Sequence, residues 1–474
     1  MAEGDRADRL LAVMVDRLVE AGLVKRRGRQ RTDSTHILAA VRRLDRLELV
    51  GETLRAALEE LTGADEEWVS ALVTDEWARR YGRAVRYDRL PKETQERERY
   101  ALTVGEDGIR LLRAVLAPDA PARLRTLPQV EVLRQVWVQQ YWQNEEGSLG
   151  WRGPKQTRDR QSRRQSPRRS ASAAASIGSP DPATARVPWS SVEIVSPHDP
   201  QARFSHKPGK AEWVGYKDHQ TETCDTGLPN VIVHVATTPA PEQDIDTLEQ
   251  IHAGLAARDL APAEHLVDGG YTSPATIHRA KTEYGIELIG PVRLAPTTRA
   301  LPGFNKEDFQ PNWEEKTLTC PNGATSPPWK PTLADGQPRL SVLFPRATCR
   351  ACEDRLKCTG NVDGKGRHVL LLPQPLQEIQ NRVRKEQQTT PWRGRYAIRA
   401  GCEATVSETV RAHGLRHCRY KGIAKTHVQH VLVAAGANVI RLSQHRPADH
   451  PSGPTTRFQN LCQQVRARTQ ARHS

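Results

Sequence analysis

A regular alternation of strand-like and helical segments between residues 192 and 298 constrains the fold more than any other feature of this chain. Three successive runs, VEIV, EWVGYKDH and VIVHVATT, have the β-branched and aromatic composition of strands. An acidic-start helix, the strand EHLVD, a helix that begins with Ser273 and Pro274, and the strand IELIGPVR follow. This order predicts an α/β core with a mixed sheet.

Asp268 ends one of these strands and is the strongest single catalytic candidate. It follows an apolar run and precedes two glycines and Tyr271. Carboxylates at the C-terminal ends of strands open into the crevice where α/β sheets bind ligands. An ordinary aspartate that caps a turn is the alternative interpretation.

A second pattern with chemical meaning is Y-x2-R-x3-E, formed by Tyr396, Arg399 and Glu403. We predict a helix over residues 391–412, on which offsets of three and four place side chains on one face. A carboxylate for a divalent metal beside cations for phosphates is a suitable combination for nucleic-acid cleavage. A solvated, charged helix is the simpler alternative. Glu408 is a rival acid, but five residues along a helix rotate it about 140° away from Glu403.

The charge of the chain also favours a polyanionic partner. Lys and Arg number 70 against 56 Asp and Glu, which gives a formal charge of +14. Such a balance is most simply explained by nucleic-acid binding. Aromatic residues make up only 5% of the chain, so base stacking is not expected as the main binding mode.

Two classes of protein are disfavoured by the sequence. No apolar run approaches the roughly 18 residues of a membrane span, and the charged N-terminus has no apolar core typical of a signal peptide. Eight cysteines are too few for a disulfide scaffold in a chain of 474 residues. We therefore expect a protein of the reducing cytoplasm that has no contact with membranes.

Half of the cysteines cluster with the spacing of a metal site. They form a C-x28-C-x2-C-x5-C pattern in a segment rich in Pro and Gly, and they are Cys320, Cys349, Cys352 and Cys358. This pattern fits a tetrahedral thiolate zinc site, and a set of reduced, partly buried cysteines is the alternative.

Composition and periodicity together divide the chain into seven parts. We predict a helical N-terminal segment, a first strand with a helical insertion, a disordered Arg- and Ser-rich linker, the α/β core, a cysteine-containing insert, C-terminal helices and a basic tail. Their bounds are 1–32, 33–143, 144–190, 191–298, 299–370, 371–445 and 446–474.

Three segments together resemble bacterial insertion-sequence transposases of the DDE class. They are HLVDGGYTSPATIHRAKTEYGIELIGPVR, GRQRTDSTHILAAVRRLDRLELVGETLRAAL and residues 396–439. The resemblance implies an RNase H-like mixed sheet, and it assigns Asp33 of D-S-T as the first acid, Asp268 as the second and Glu403 as the third. The lysine expected seven residues after the glutamate is replaced by Val410, with Arg411 beside it.

This resemblance implies DNA cleavage and strand transfer at insertion-element ends by two-metal phosphoryl transfer. The three acids would bind two Mg²⁺ ions, and six residues would contact DNA, namely Tyr396, Arg399, Arg411, Arg416, Arg419 and Lys421. The partners would be terminal-repeat and target DNA, and the active form would be a homodimer in the bacterial cytoplasm, at the nucleoid. Asp199 is an alternative first acid, because it lies much closer to Asp268 in sequence.

A non-catalytic DNA-binding remnant is the alternative function. Members of the family usually carry a longer helical DNA-binding region before the point where this chain begins, so the chain is expected to be truncated at its N-terminus. Residues 152–188 also do not resemble the family at that place.

Overall fold

The computed structural model describes residues 5–144, 146–152, 192–206, 212–294, 303–334, 336–359, 365–445, 458 and 461–462. Most of the predicted linker 144–190 and most of the predicted basic tail 446–474 lie outside these described residues. No helix of the described part is long and apolar enough to cross a membrane.

The chain starts with a helix and a long strand and then enters a helical insertion. Helix α1 spans Arg6–Glu20 and strand β1 spans Arg29–Leu38. The insertion consists of α2 (Arg46–Ala64), α3 (Glu66–Ser70), α4 (Asp75–Tyr81), α5 (Thr94–Leu116), α6 (Pro128–Gln140) and a hairpin of β2 (Tyr141–Gln143) and β3 (Leu149–Trp151). Its apolar faces bury a core of their own, separate from the core on the sheet.

The chain then returns to the sheet that β1 began. The elements in order are β4 (Arg203–His206), β5 (Glu212–Thr223), β6 (Ile232–Pro239), α7 (Asp244–Ala256), β7 (Glu264–Val267), α8 (Pro274–Tyr284) and β8 (Glu287–Ile289). Helix α8 begins as expected, because Ser273 forms a capping box with Thr276 and Pro274 occupies the first turn.

The sheet order is β4-β5-β1-β7-β8, and β6 also pairs with β5. Strand β1 is antiparallel to β5 and parallel to β7, which is parallel to β8. The predicted α/β class with a mixed sheet is therefore confirmed. The helical insertion lies in sequence between β1 and β5, which are neighbours in the sheet.

The remaining elements form a small β-rich insert and a set of C-terminal helices. The insert contains β9 (Gln310–Asn312), β10 (Thr317–Thr319), β11 (Lys330–Ala334), β12 (Gln337–Leu343), α9 (Arg346–Arg350), α10 (Arg355–Cys358) and β13 (His368–Leu371). The helices are α11 (Gln374–Glu386), α12 (Thr390–Ala397), α13 (Gly401–Arg411) and α14 (Ile423–Gln444).

Two local predictions were wrong. The run VEIV does not form a strand: Ile194 packs into the core of the insertion, and its N–H donates to Gln139 of α6. The predicted continuous helix 391–412 is interrupted by a 3₁₀ turn at Ile398–Ala400 between α12 and α13. The three residues of Y-x2-R-x3-E therefore lie on three consecutive short elements.

A buried ion-pair network fastens the C-terminal helices to the sheet. Arg31 of β1 and Glu222 of β5 are cross-strand partners, and their N–O distance is 2.7 Å. The second carboxylate oxygen of Glu222 accepts from Thr405 of α13 at 2.6 Å and from Arg441 of α14 at 2.8 Å. Because Glu222 is fully buried and Arg31 nearly so, each charge depends on the other for its stability.

We expect Glu222→Ala to lower the free energy of unfolding by about 3–5 kcal/mol, because it leaves Arg31 buried without its partner. Urea titration followed by circular dichroism measures this change. Glu20→Ala, which breaks the exposed Arg17–Glu20 pair, is the control and should cost about 0–1 kcal/mol. Equal effects of the two substitutions would show that the network does not hold the helices.

Candidate functional site

Asp33 lies on β1, and Asp268 directly follows the end of the neighbouring strand β7. Thr32 of β1 is opposite Val267 of β7 in parallel register. The residues that follow these two are Asp33 and Asp268. Neighbouring strands are about 4.8 Å apart. Asp33 is largely buried, with 15% of its side chain exposed, whereas Asp268 is exposed just beyond the end of β7.

Arg399 connects Asp33 to Glu403. Its guanidinium lies 2.8 Å from a carboxylate oxygen of Asp33 and 2.7 Å from one of Glu403. Arg399 is 12% exposed, while Glu403 is 64% exposed at the start of α13. The predicted first and third acids, which are 370 positions apart in sequence, are thus held by one arginine.

The neighbouring carboxylates affect the ionisation of Asp33. Burial raises the pKa of Asp33, and the nearby charges of Asp268 and Glu403 raise it further, although Arg399 opposes the shift. Burial acts to lower the pKa of Arg399, but the surrounding carboxylates outweigh it and raise that pKa above its usual value. The site therefore concentrates negative charge that one arginine partly neutralises.

Tyr396 belongs to the same cluster. Burial raises the pKa of its hydroxyl to about 12; Arg399 opposes this shift, whereas Asp268, Asp33 and Glu403 add to it. Its ring stacks on Trp392 of α12 with centroids 4.8 Å apart. The hydroxyl consequently remains protonated at neutral pH and is able to donate a hydrogen bond.

The sheet positions the segment that carries Arg399 and Glu403. A guanidinium nitrogen of Arg31 donates to the carbonyl of Ile398 at 2.6 Å, directly under the 3₁₀ turn. Gly401 provides the room for this contact, since a Cβ at that position would lie 2.0 Å from the same nitrogen. Sequence reasoning missed Arg31, Glu222 and Gly401, because no local pattern relates them.

A buried tyrosine supports the turn that carries Asp268. Tyr271 donates its backbone N–H to the carbonyl of Asp268 at 2.9 Å, and its hydroxyl lies 2.7 Å from Nδ1 of His219. Burial raises the pKa of this hydroxyl well above its usual range. The Asp268-Gly-Gly-Tyr271 motif thus contains both a candidate acid and the residue that fixes its turn, a role which the sequence did not indicate.

The structure places both rival acids elsewhere. Asp199 is fully buried and accepts from the hydroxyl of Tyr216 at 2.6 Å. Gln220 of β5 is the register partner of Asp33. Tyr216 lies four positions away from Gln220 along the same strand, a distance of about 13 Å. Glu408 accepts from Arg441 at 2.7 Å and so takes part in the docking of α14.

The predicted DNA-contacting residues do not all lie at the acids. Tyr396 and Arg399 do, whereas the guanidinium of Arg416 donates to the carbonyl of His36 near the far end of β1. Three further cations are exposed on α13 and on the loop before α14, and these are Arg411, Arg419 and Lys421.

The four clustered cysteines line one cavity of about 540 Å³ in the β-rich insert. Burial raises the pKa of the Cys358 thiol; Arg367 opposes the shift, and the other three sulfurs, of Cys349, Cys320 and Cys352, add to it. Across the described residues, however, no three His, Cys, Asp or Glu side chains stand in an arrangement that could hold a metal ion as they are. At the candidate acids, Arg399 lies between the carboxylates of Asp33 and Glu403.

Comparison with known proteins agrees with the resemblance seen in the sequence. Residues 319–443 match the family model described as "Transposase DDE domain". The matched segment includes the cysteines, Tyr396, Arg399 and Glu403, but neither Asp33 nor Asp268. No curated protein and no solved structure matches the chain.

Residues 319–443 are thus similar to a transposase DDE domain, and this match confirms the predicted resemblance to DDE-class transposases. Such a domain implies a nucleotidyl-transferase type of enzyme, DNA as its partner and a divalent metal as its cofactor.

We expect the midpoint temperature of thermal unfolding at pH 7 to be no lower for Asp33→Asn than for the parent chain. The folded pKa of Asp33 lies above its unfolded value of 3.8, so the folded state loses stability as pH rises through the folded pKa. Asparagine resembles the protonated form, and its advantage should disappear below the unfolded pKa.

Thermal unfolding at several pH values measures this difference. Asp268→Asn is the matched control, and because Asp268 is exposed it should leave the midpoint unchanged. A midpoint several degrees lower for Asp33→Asn at pH 7 would mean that the Asp33–Arg399 pair is structural.

Proposed function

We propose that this protein is a transposase that cuts DNA at insertion-element ends and joins them to target DNA, with Asp33, Asp268 and Glu403 as its catalytic acids. One observation carries the proposal: Arg399 pairs with both Asp33 and Glu403, and Asp268 directly follows Val267, the register partner of Thr32, at the C-terminal end of β7. A largely buried acid with further acids nearby, such as Asp33, lowers stability, and proteins keep such groups mostly at functional sites.

The donor set suits Mg²⁺. Hard divalent cations prefer oxygen ligands, and Asp33, Asp268 and Glu403 supply carboxylate oxygens. The negative charges of Asp268 and Glu403 near Asp33, together with the pairing of Asp33 with Arg399, indicate a position where positive charge is favoured. Two bound ions would activate the attacking water or 3′-hydroxyl and stabilise the leaving oxygen.

Arg399 and Tyr396 would bind the phosphate at the cleavage site. The Nε of Arg399 is buried and has no hydrogen-bond partner among the described residues, so the hydrogen-bonding capacity of this guanidinium is not used up by its two ion pairs. A planar guanidinium is well suited to a phosphate group. The protonated hydroxyl of Tyr396 would donate a further hydrogen bond and help to orient that phosphate.

The surface charge supports binding along the DNA beyond the cleaved bond. Arg411, Arg419 and Lys421 are exposed, and the chain carries a formal charge of +14. Distributed cations bind the DNA backbone without sequence preference, and this binding weakens as salt displaces it. We place the active form in the bacterial cytoplasm at the nucleoid, as a homodimer that holds two element ends.

We expect Glu403→Gln to reduce Mg²⁺-dependent cleavage about a hundredfold or more, because it removes one of the metal-binding charges. DNA binding should stay equal or become slightly tighter, since a negative charge near the phosphates is lost. The substrates would be duplexes from both flanks of the chain's own coding region, with cleavage read on sequencing gels and binding by fluorescence anisotropy.

Glu378→Gln, an exposed carboxylate on α11, is the matched control and should cut and bind like the parent chain. A parent chain that binds DNA but cuts none of the duplexes would favour the non-catalytic remnant instead. Loss of binding in Glu403→Gln would make Glu403 a structural residue.

Arg399→Gln should raise the affinity of the DNA-free protein for Mn²⁺ about tenfold or more, while it lowers cleavage. The reason is that the guanidinium competes with a cation for Asp33 and Glu403, and a change of about 1.4 kcal/mol is tenfold in affinity. Titration of free Mn²⁺ by electron paramagnetic resonance measures the affinity.

Arg395→Gln is the control, because Arg395 pairs with Glu264 and Glu287 rather than with the three acids. It should leave the Mn²⁺ affinity unchanged. An unchanged affinity in Arg399→Gln as well would argue that the arginine and the metal do not share the carboxylates.

A further inference from the structure

The β-rich insert has a core that is small for its length. Among the described residues of the insert, its buried apolar cluster consists of seven side chains, namely Phe309, Leu318, Trp329, Val342, Phe344, Val369 and Leu371. Small units with so little apolar burial usually need a disulfide or a metal to hold them together. The cysteines of the insert are all free thiols.

These thiols come from three separate places and face one cavity. Cys320 directly follows β10, Cys349 lies in α9 with Cys352 just beyond it, and Cys358 ends α10. All four line the same cavity of about 540 Å³. The chain therefore brings the C-x28-C-x2-C-x5-C pattern together in space.

The backbone at Cys320 turns sharply toward the cavity. Its N–H donates to the carbonyl of Ala324 at 2.8 Å, and the N–H of Gly323 donates back to its carbonyl at 2.9 Å. Gly323 has φ of 80°, a left-handed conformation that glycine adopts without strain. The turn thus fixes the approach of one thiol.

Two of the sulfurs already accept hydrogen bonds from neighbouring groups. The backbone N–H of Arg367 points at Cys349 Sγ, and the side-chain amide of Asn322 points at Cys352 Sγ, both at 3.4 Å. Donors of this kind stabilise thiolates and orient them as ligands, as outer groups do in metal sites.

We propose that Cys320, Cys349, Cys352 and Cys358 bind one structural Zn²⁺ ion. Four thiolates form a closed tetrahedral set, which leaves no position for a substrate or water. The sulfurs face one cavity without yet standing in a coordination arrangement, so binding would draw them together and release protons from the thiols. The ion would add to the stability that the small apolar core of the insert provides.

The site would also steady the helices that carry the third acid. Strand β13 of the insert leads into α11, where the N–H of Leu372 donates to the side chain of Gln377 at 3.0 Å. Glu307 of the insert forms an ion pair with Arg384 of α11. The zinc site is therefore linked to the segment before α12 and α13, although it does not depend on the proposed cleavage activity.

Zinc content of the full chain, purified without chelators and measured by plasma mass spectrometry, tests the proposal. We expect about one zinc ion per chain, and less than a fifth of that in Cys349→Ser and in Cys352→Ser. Cys462→Ser, outside the insert, is the matched control and should keep its zinc. A parent chain free of zinc, or serine variants that retain it, would overturn the proposal.

A second measurement avoids variants that fail to fold. Co²⁺ exchanged into the parent chain should give the intense thiolate-to-metal absorption and the visible bands of a tetrahedral four-sulfur site. A weak spectrum without thiolate bands would contradict the assignment, even if the chain contained zinc.

Discussion

The buried ion pair between Arg31 and Glu222 is the interaction on which the site depends. It joins β1 to β5, and through Thr405 and Arg441 it fixes α13 and α14 on the sheet. Arg31 also holds the carbonyl of Ile398, one residue before Arg399. Arg31, which joins β1 to β5, therefore also positions the segment that carries Glu403. Since a buried pair is costly to disturb, small changes far from the acids would displace Glu403.

The charges at the proposed site lower the stability of the free chain, as expected for residues that bind a ligand. Asp33 is buried beside Asp268 and Glu403, so its ionised form is disfavoured in the folded chain. Arg399 relieves this repulsion by pairing with two of the acids. A divalent cation and a phosphate would offer better partners to both sides, because the acids would bind the metal and the arginine would bind the phosphate. Arg399 would thus pair with Asp33 and Glu403 when DNA is absent, and these groups would bind phosphate and metal when DNA is present.

Local patterns in the sequence predicted the sheet and the position of Asp268 at the end of one of its strands. Strand composition around Asp268 and the Ser273-Pro274 helix start depend on nearby residues, and the structure agrees with both. The prediction of a strand at VEIV was wrong, because Ile194 packs on the helical insertion and the run does not pair in the sheet. Arg31 and Glu222 are 191 positions apart, and only the strand register brings them together. The pairing of Arg399 with Asp33 was equally invisible, since helical spacing relates Arg399 to Glu403 alone.

Anomalous diffraction from crystals of the DNA-free protein loaded with Mn²⁺ would locate the metal without any assumption about activity. If Asp33, Asp268 and Glu403 form the catalytic centre, the anomalous peaks should lie between their carboxylate oxygens, and Arg399 should have moved away from at least one of them. Peaks at Asp199 or Glu408, or crystals in which Arg399 still bridges Asp33 and Glu403 with Mn²⁺ bound elsewhere, would contradict this arrangement.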